Sequence, residues 1–282
     1  MPLPDRALTA VLLSSDGHTI LFDCGEGTQS AARKAEVSLM KVEIIALTHY
    51  HGDHIFGLPG LLQSMSCLGR TQDLLITGPS GIEKALSPIM DLAGNLSFKV
   101  TLKEMTEPIE IYPEAVLSSF KTRHRCQSIG YKFSLGRPGM FNAEKAAMLG
   151  VDKSDWGKLQ HGISVGDVTP EMVLGKRRDG LNFVFSGDTM PCDGLAEASR
   201  GADLLICEAT YAEDDMENQA REYGHMTYSQ ACSVGKEAKR TVLAHFSQVI
   251  EDPSAYELPD GVEPGTDGLK IELNFASRIP EE

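Results

Sequence analysis

Basic residues are scarce in this 282-residue chain: 26 lysines and arginines stand against 40 aspartates and glutamates, a formal charge of −14. That excludes a protein that holds nucleic acid through a globally basic surface, though not a basic patch on an acidic body. Cysteine pairing is also missing. Cys24, Cys67, Cys126, Cys192, Cys207 and Cys232 form no CxxC pair and no framework spacing, which argues against a disulfide scaffold and for a reducing compartment. No apolar run reaches the roughly 18 residues that a membrane span needs, and no signal-peptide pattern opens the chain. The expectation is a soluble, cytoplasmic protein with no membrane partner. Low-complexity tracts and short repeats are absent too. What the chain does have is 41% hydrophobic residues, enough for a sizeable core in one large domain or two small ones.

The hydrophobic pattern alternates strand-like and helix-like segments. LTAVLL (8–13) and HTILFD (18–23) flank the turn SSDG and read as a hairpin. GEGTQSAARKAEV opens on glycines and continues as a helix. VEIIALT (42–48) is a continuous apolar run, typical of a strand buried on both faces. HIFGLPGLLQSMSCLG reads as helical, with Pro59 marking a kink or break. DLLITGP and GIEKALSPIMDLAG repeat the strand and helix. In the second half AVLSSFKTRH, SIGYKFSL, LNFVFSGD, ADLLICEAT, RTVLAHF and GLKIELNF read as strands. TYSQACSVGKEAK reads as a helix opened by a capping box of Thr227 and Gln230. Residues 136–180, richer in glycine, proline and charge, look like an excursion from a single α/β domain spanning 1–282.

Polar residues recur where the apolar runs stop: Asp23 after ILF, His49 after ALT, Asp188 after VFSG, Glu208 after LLIC and His245 after VLA, with His124 ending SSFKTR. A rigid sheet aims the loops at its strand ends, so chemistry gathers there. THYHGDH (48–54) is the densest of these points. Its His49, His51, Asp53 and His54 suit zinc, and a sharp turn at Gly52 can send His49 and His51 to one metal while Asp53 and His54 face a second. Four donors do not saturate two ions. His124, Asp188 and His245 are the natural completions, with Asp188 able to bridge, and a dinuclear centre suits phosphate-ester hydrolysis. His18 and His161 stand alone and read as surface or turn residues.

The segments THYHGDH, LFDCGEGTQ (21–29), HIFGLPGLL (54–62), SIGYKF (128–133), FSGDT (185–189), CEATY (207–211), GHMT (224–227) and AHFS (244–247), in that chain order, resemble the metallo-β-lactamase superfamily. Within it they resemble the ribonuclease Z family of tRNA 3′-processing endonucleases. The resemblance implies a four-layer αββα sandwich with metals at one edge. It implies two zinc ions, with manganese or another divalent metal as a substitute. One would be held by His49, His51, His124 and Asp188, the other by Asp53, His54, Asp188 and His245. Asp53 would also serve as general base, and His225, oriented by Glu208, would protonate the leaving oxygen. Asp23 would steady a ligand from behind. Three departures stand out. The chain starts at Met1, so the family's first strand is expected to be missing; VDKSDW stands where the tRNA-clamping arm carries Gly-Pro; and Met226 in GHMT stands where serine is common.

The resemblance therefore implies a zinc-dependent endoribonuclease that removes 3′ trailers from precursor tRNA by water attack at a two-metal site and leaves a 3′-hydroxyl. It also implies a homodimer in which residues 136–180 form a protruding arm. Candidate RNA contacts are Lys121, Arg123 and Arg125, which flank His124, and Lys176, Arg177 and Arg178, late in the arm. The alternatives are a phosphodiesterase of the same fold acting on small phosphodiesters or cyclic nucleotides, and a non-enzymatic RNA-binding subunit. The second would be marked by lost ligands, and all seven are present.

Overall fold

In HTILF, Ile20 and Phe22 turn to one face and Leu21 to the other, the period of two that a strand between two apolar layers requires. The computed structural model describes residue 3 and residues 6–275. Strand β1 (Val11–Ser15) pairs antiparallel with β2 (His18–Phe22). Their turn residues Asp16 and Gly17 both have positive φ, 48° and 84°, the left-handed pair that matches the strands' own twist. Helix α1 (Thr28–Lys34) leads to β3 (Ile44–Ala46), which is buried on both faces. Next come α2 (Gly52–Ile55) and α3 (Leu58–Cys67), separated at Phe56 and Gly57. Pro59 sits in the first turn of α3, where its missing N–H removes no helical bond. Strand β4 (Leu74–Gly78), helix α4 (Ile82–Ala93) and strand β5 (Val100–Glu104) complete a sheet of order β1-β2-β3-β4-β5, parallel from β2 onward.

The second sheet begins with β6 (Ile109–Tyr112), β7 (Ala115–Lys121) and β8 (Ile129–Arg137), all antiparallel. Between Arg137 and the start of β9 (Arg178–Phe185), the helices α5 (Ala143–Met148), α6 (Trp156–Gln160) and α7 (Pro170–Val173) gather around Ala146, Val151, Leu159 and Val173, a small core of their own. Helix α8 (Asp193–Ser199), strand β10 (Leu204–Glu208), helices α9 (Glu217–Tyr223) and α10 (Tyr228–Gly235), and strands β11 (Thr241–Ala244) and β12 (Val262–Pro264) follow. The order is β12-β11-β10-β9-β8-β7-β6, parallel from β9 to β12. The capping box of Thr227 and Gln230 opens α10 as expected.

Four layers result. Ile20, Phe22, Ile44 and Ala46 of the first sheet meet Leu117, Tyr131, Phe133, Phe183, Phe185 and Val242 of the second. Phe22 is the centre of this layer, with ring centroids 5.4–5.6 Å from Tyr131, Phe183 and Phe185. Leu21, Ile45, Leu74 and Ile76 face outward under α3 and α4, and Val184, Leu205, Cys207 and Leu243 lie under α8 and α10. Burying each large side chain stabilises the fold by about 1.5–3 kcal/mol. This is the four-layer αββα sandwich that the resemblance implied.

Two segments correct the sequence reading. GLKIELNF forms no ladder over 268–275; its alternation is real, because Ile271 and Leu273 pack into the inter-sheet core while Glu272 and Asn274 are exposed, but the edge place beside β11 belongs to β12. Strands β5 and β6 were not legible: each is short and half-exposed, so neither shows a continuous apolar run. Among the described residues no helix is long and apolar enough to cross a membrane.

Candidate metal centre

Parallel strands deliver their C-terminal ends to one edge, and that edge carries the chemistry. Asp23 follows β2, His49 follows β3 through Leu47 and Thr48, Asp188 follows β9, Glu208 ends β10 and His245 follows β11. His124 comes from the β7–β8 loop and His225 from the link between α9 and α10. Asp23 and His245 have φ of 56° and 58°, a left-handed backbone that costs a non-glycine residue about 1–3 kcal/mol and persists where its surroundings over-determine it. Gly25 lets the two loops nest: a Cβ there would lie 2.3 Å from the backbone oxygen of Asp53.

The hydrogen bonds fix the imidazole tautomers. The Thr48 hydroxyl donates to Asp23 Oδ2 (2.8 Å), so it must accept from His49 Nδ1–H at 3.0 Å. His54 Nδ1–H donates to the same Asp23 Oδ2 at 2.8 Å, and the Thr48 N–H donates to Oδ1 at 2.8 Å. His124 Nδ1–H donates to the Gly224 carbonyl at 2.8 Å. The Thr210 hydroxyl donates to Glu208 Oε2 (2.9 Å) and accepts from His245 Nδ1–H at 3.0 Å. Each of these four rings thereby turns its Nε2 inward.

Inward, the donors form two groups. His49 Nε2 is 3.0 Å from His51 Nδ1, which is 3.2 Å from His124 Nε2. Asp188 Oδ2 is 3.3 Å from both His54 Nε2 and His245 Nε2, and 3.8 Å from His49 Nε2. Asp53 Oδ2 lies 3.4 Å from His245 Nε2 and 3.7 Å from His54 Nε2. All seven expected donors thus converge, with one Asp188 oxygen between the groups.

Electrostatics agree with this geometry. Burial, helped by His54, pushes His49 down to about 2, and burial also lowers His51 and His124, so these rings are neutral. Burial opposes charge on His54 as well, but Asp188 and Asp23 outweigh it and raise that ring well above the ordinary imidazole range. Asp188 and Asp53 resist the upward pull of burial, because His245 and His54 hold both carboxylates below the usual range. His54 Nε2 is buried without a hydrogen-bond partner, a position that costs about 1–3 kcal/mol unless something answers it. Neutral imidazole lone pairs, ionised carboxylates and an orphaned buried nitrogen fit a divalent cation.

Residues 4–69 match the model of the metallo-β-lactamase superfamily. Ribonuclease Z of Lachnoclostridium phytofermentans is 37% identical over 98% of this chain and 95% of its own length, and ribonuclease Z of Clostridium tetani 35% identical over 98% and 96%. The chain belongs to the ribonuclease Z family. The crystal structure of human tRNase Z, short form, superposes with a TM-score of 0.70 at 27% identity, over 97% of this chain and 95% of that one. Like its family, the chain is a metal-dependent endoribonuclease.

The ribonuclease Z site has a second tier behind the donors. His225 Nδ1–H donates to Glu208 Oε1 at 3.0 Å, and Glu208 outweighs burial to raise this imidazole. Three contributors escaped the sequence reading. Thr48 and Thr210 fix tautomers, a task no local pattern announces, and the donor atoms of Cys126, His49, His51 and His124 all lie within 4.8 Å of one another. The basic residues divide. Lys121, Arg123 and Arg125 are exposed beside His124, with the Arg125 guanidinium 5.3 Å from the Tyr223 ring centroid. Lys176, Arg177 and Arg178 are exposed at the opposite end of β9 from Asp188, roughly 23 Å away at about 3.3 Å per residue. Arg177 there pairs with Glu114, and Arg178 Nε donates to the Pro138 carbonyl at 2.9 Å. His18 and His161 stay apart from the site, bonded to Glu43 and the Gly157 carbonyl.

Proposed function

We propose that this chain is a zinc-dependent endoribonuclease that removes 3′ trailers from precursor tRNA and leaves a 3′-hydroxyl on the tRNA. The observation that carries the reading is the Asp188 carboxylate set between two donor groups at one sheet edge, 3.8 Å from His49 Nε2 and 3.3 Å from His54 and His245 Nε2. His49, His51, His124 and Asp188 would hold one zinc ion, and Asp53, His54, Asp188 and His245 the other. When bound, the two cations polarise water and the phosphodiester and offset the charge that builds on the phosphoryl oxygens.

The chain's own residues divide the remaining work. Asp53, kept ionised by His245 and His54, accepts the proton of the attacking water as the new P–O bond forms. The bond from phosphorus to the tRNA 3′-oxygen breaks, and that oxygen leaves poorly without a proton. His225, held by Glu208 through Nδ1, has Nε2 left to donate it. Asp23 touches Thr48 and His54 rather than substrate and holds the metal loop in register.

The substrate side rests on charge and distance. Lys121, Arg123 and Arg125 stand beside the centre and suit phosphates near the scissile bond. Lys176, Arg177 and Arg178 lie too far from it to serve the same phosphate, which supports residues 136–180 as an arm that grips the tRNA body, across a homodimer, for the partner's site. The enzyme would work on precursor tRNA in the cytoplasm.

Incubation with a 3′-extended tRNA and, separately, with a chromogenic phosphodiester tests this reading. We expect cleavage of both, a 3′-hydroxyl at the tRNA end, two zinc ions per chain, and loss of cleavage in Asp53→Ala. Hydrolysis of the small ester without tRNA cleavage would replace the proposal with a small-phosphodiester hydrolase.

A further inference from the structure

The donor group around His51 holds one more atom than a three-histidine site needs. His49 Nε2, His51 Nδ1 and His124 Nε2 converge at 3.0 and 3.2 Å, and the Cys126 sulfur joins them with every pair of donor atoms inside 4.8 Å. Asp188 reaches both sides: it groups with Asp53, His54 and His245, groups with His124 as well, and lies 3.8 Å from His49 Nε2. We propose that Cys126 Sγ is a further direct ligand of the cation that His49, His51, His124 and Asp188 would hold.

Three observations carry this beyond the presence of a thiol. First, two of the three nitrogens have their tautomers set from behind: His49 is bonded through Nδ1 to Thr48 and His124 through Nδ1 to the Gly224 carbonyl. The Nε2 atoms of His49 and His124 are therefore acceptors, and neither donates a proton toward the sulfur. His49 is fully buried, so its inward lone pair cannot turn to bulk water. Second, a cation with Zn–N of about 2.0–2.1 Å and Zn–S of about 2.3 Å separates neighbouring donors by roughly 3–4 Å, a spacing that the nitrogens already meet. Third, Cys126 is partly exposed, whereas Cys24, Cys207 and Cys232 are buried thiols inside apolar layers. It is not another small hydrophobe filling the core.

A sulfur ligand has a chemical consequence. Thiolate is soft, so the ion it touches is selected toward zinc and cobalt and away from manganese and magnesium. The second ion, surrounded by Asp53, His54, Asp188 and His245, has no such preference. The two cations of one site would then exchange with different metals.

This inference rests on the metal-centre reading above, and cobalt separates the two. Full-length chain stripped with chelator and reloaded with Co²⁺ is analysed for bound cobalt and for its near-ultraviolet spectrum in the same sample. We expect a sulfur-to-cobalt charge-transfer band that grows with the first equivalent of cobalt. It is lost in Cys126→Ser and kept in Cys192→Ser, whose thiol lies outside the donor group. Two bound cobalt ions with no such band, or a band that survives in Cys126→Ser, overturn the assignment while leaving the dinuclear reading intact. Absence of bound cobalt overturns both.

Discussion

At the scale of residues, Asp23 shows how much of a site lies behind its ligands. One carboxylate accepts from the Thr48 N–H, the Thr48 hydroxyl and His54 Nδ1–H. In Asp23→Asn one oxygen becomes an NH2 group, which must face either the Thr48 N–H or the Thr48 hydroxyl and His54 Nδ1–H, donor against donor. We expect metal affinity to fall by about 10–100-fold, read by competition with a chromophoric chelator. His225 yields a pH prediction. Glu208 raises its folded pKa above the ordinary imidazole value, so the proton-donating form is fully present below that ordinary value and is lost as pH rises through the raised one. kcat/KM for precursor tRNA should therefore decline on the alkaline side at a pKa above 6.5. His225→Ala should lower the rate by about 10²–10⁴-fold, abolish that decline and leave the bound metal content unchanged. The four clustered members His49, His51, Asp53 and His54 were legible because the chain itself puts them side by side. Thr48 and Thr210 were not, since a threonine that orients an imidazole is indistinguishable in sequence from one that ends a strand.

Among elements, the contact that matters most is between the loop after β2 and the loop after β3. A Cβ on Gly25 would lie 2.3 Å from the Asp53 oxygen and 2.6 Å from the Leu8 Cβ. Gly25→Ala must push the metal loop away, because a backbone oxygen cannot rotate aside. We expect a stability loss of about 1–3 kcal/mol by urea unfolding, together with substoichiometric zinc. Apolar runs made β3, β4, β9, β10 and β11 readable, since strands buried on both faces have no polar alternative. GLKIELNF misled for the complementary reason. Alternation reports that Ile271 and Leu273 face a core, but it cannot report whether a hydrogen-bonding neighbour is available.

The whole molecule divides into a sandwich that carries the centre and an insertion that does not. Arg137 and Arg178 are paired across β8 and β9, so the insertion leaves and returns at one point. Replacing 138–177 with a short turn should preserve the fold, zinc content and hydrolysis of a small phosphodiester. Cleavage of precursor tRNA should fall, with the loss concentrated in KM. For the intact chain, log affinity for tRNA should fall linearly with log salt, and Arg125→Ala should reduce that slope by about 1. A slope unchanged by removing basic residues on either side would argue that neither group meets phosphate. The formal charge of −14 hid this division, because an average over the chain does not show that Lys121, Arg123 and Arg125 share one rim with the metal donors.

Sequence alone put His49, His51, Asp53 and His54 side by side and named His124, Asp188 and His245 as candidate partners, because hydrophobic runs must end where the sheet meets solvent and polar residues mark those ends. Only the tertiary structure decided how near these side chains come to one another. His51 and His124 are distant in sequence and adjacent in space; Asp188 stands between two groups; Cys126 falls beside three imidazoles. Coordination depends on distances of a few ångströms, and those are set by how two sheets pack, a quantity that no local pattern encodes.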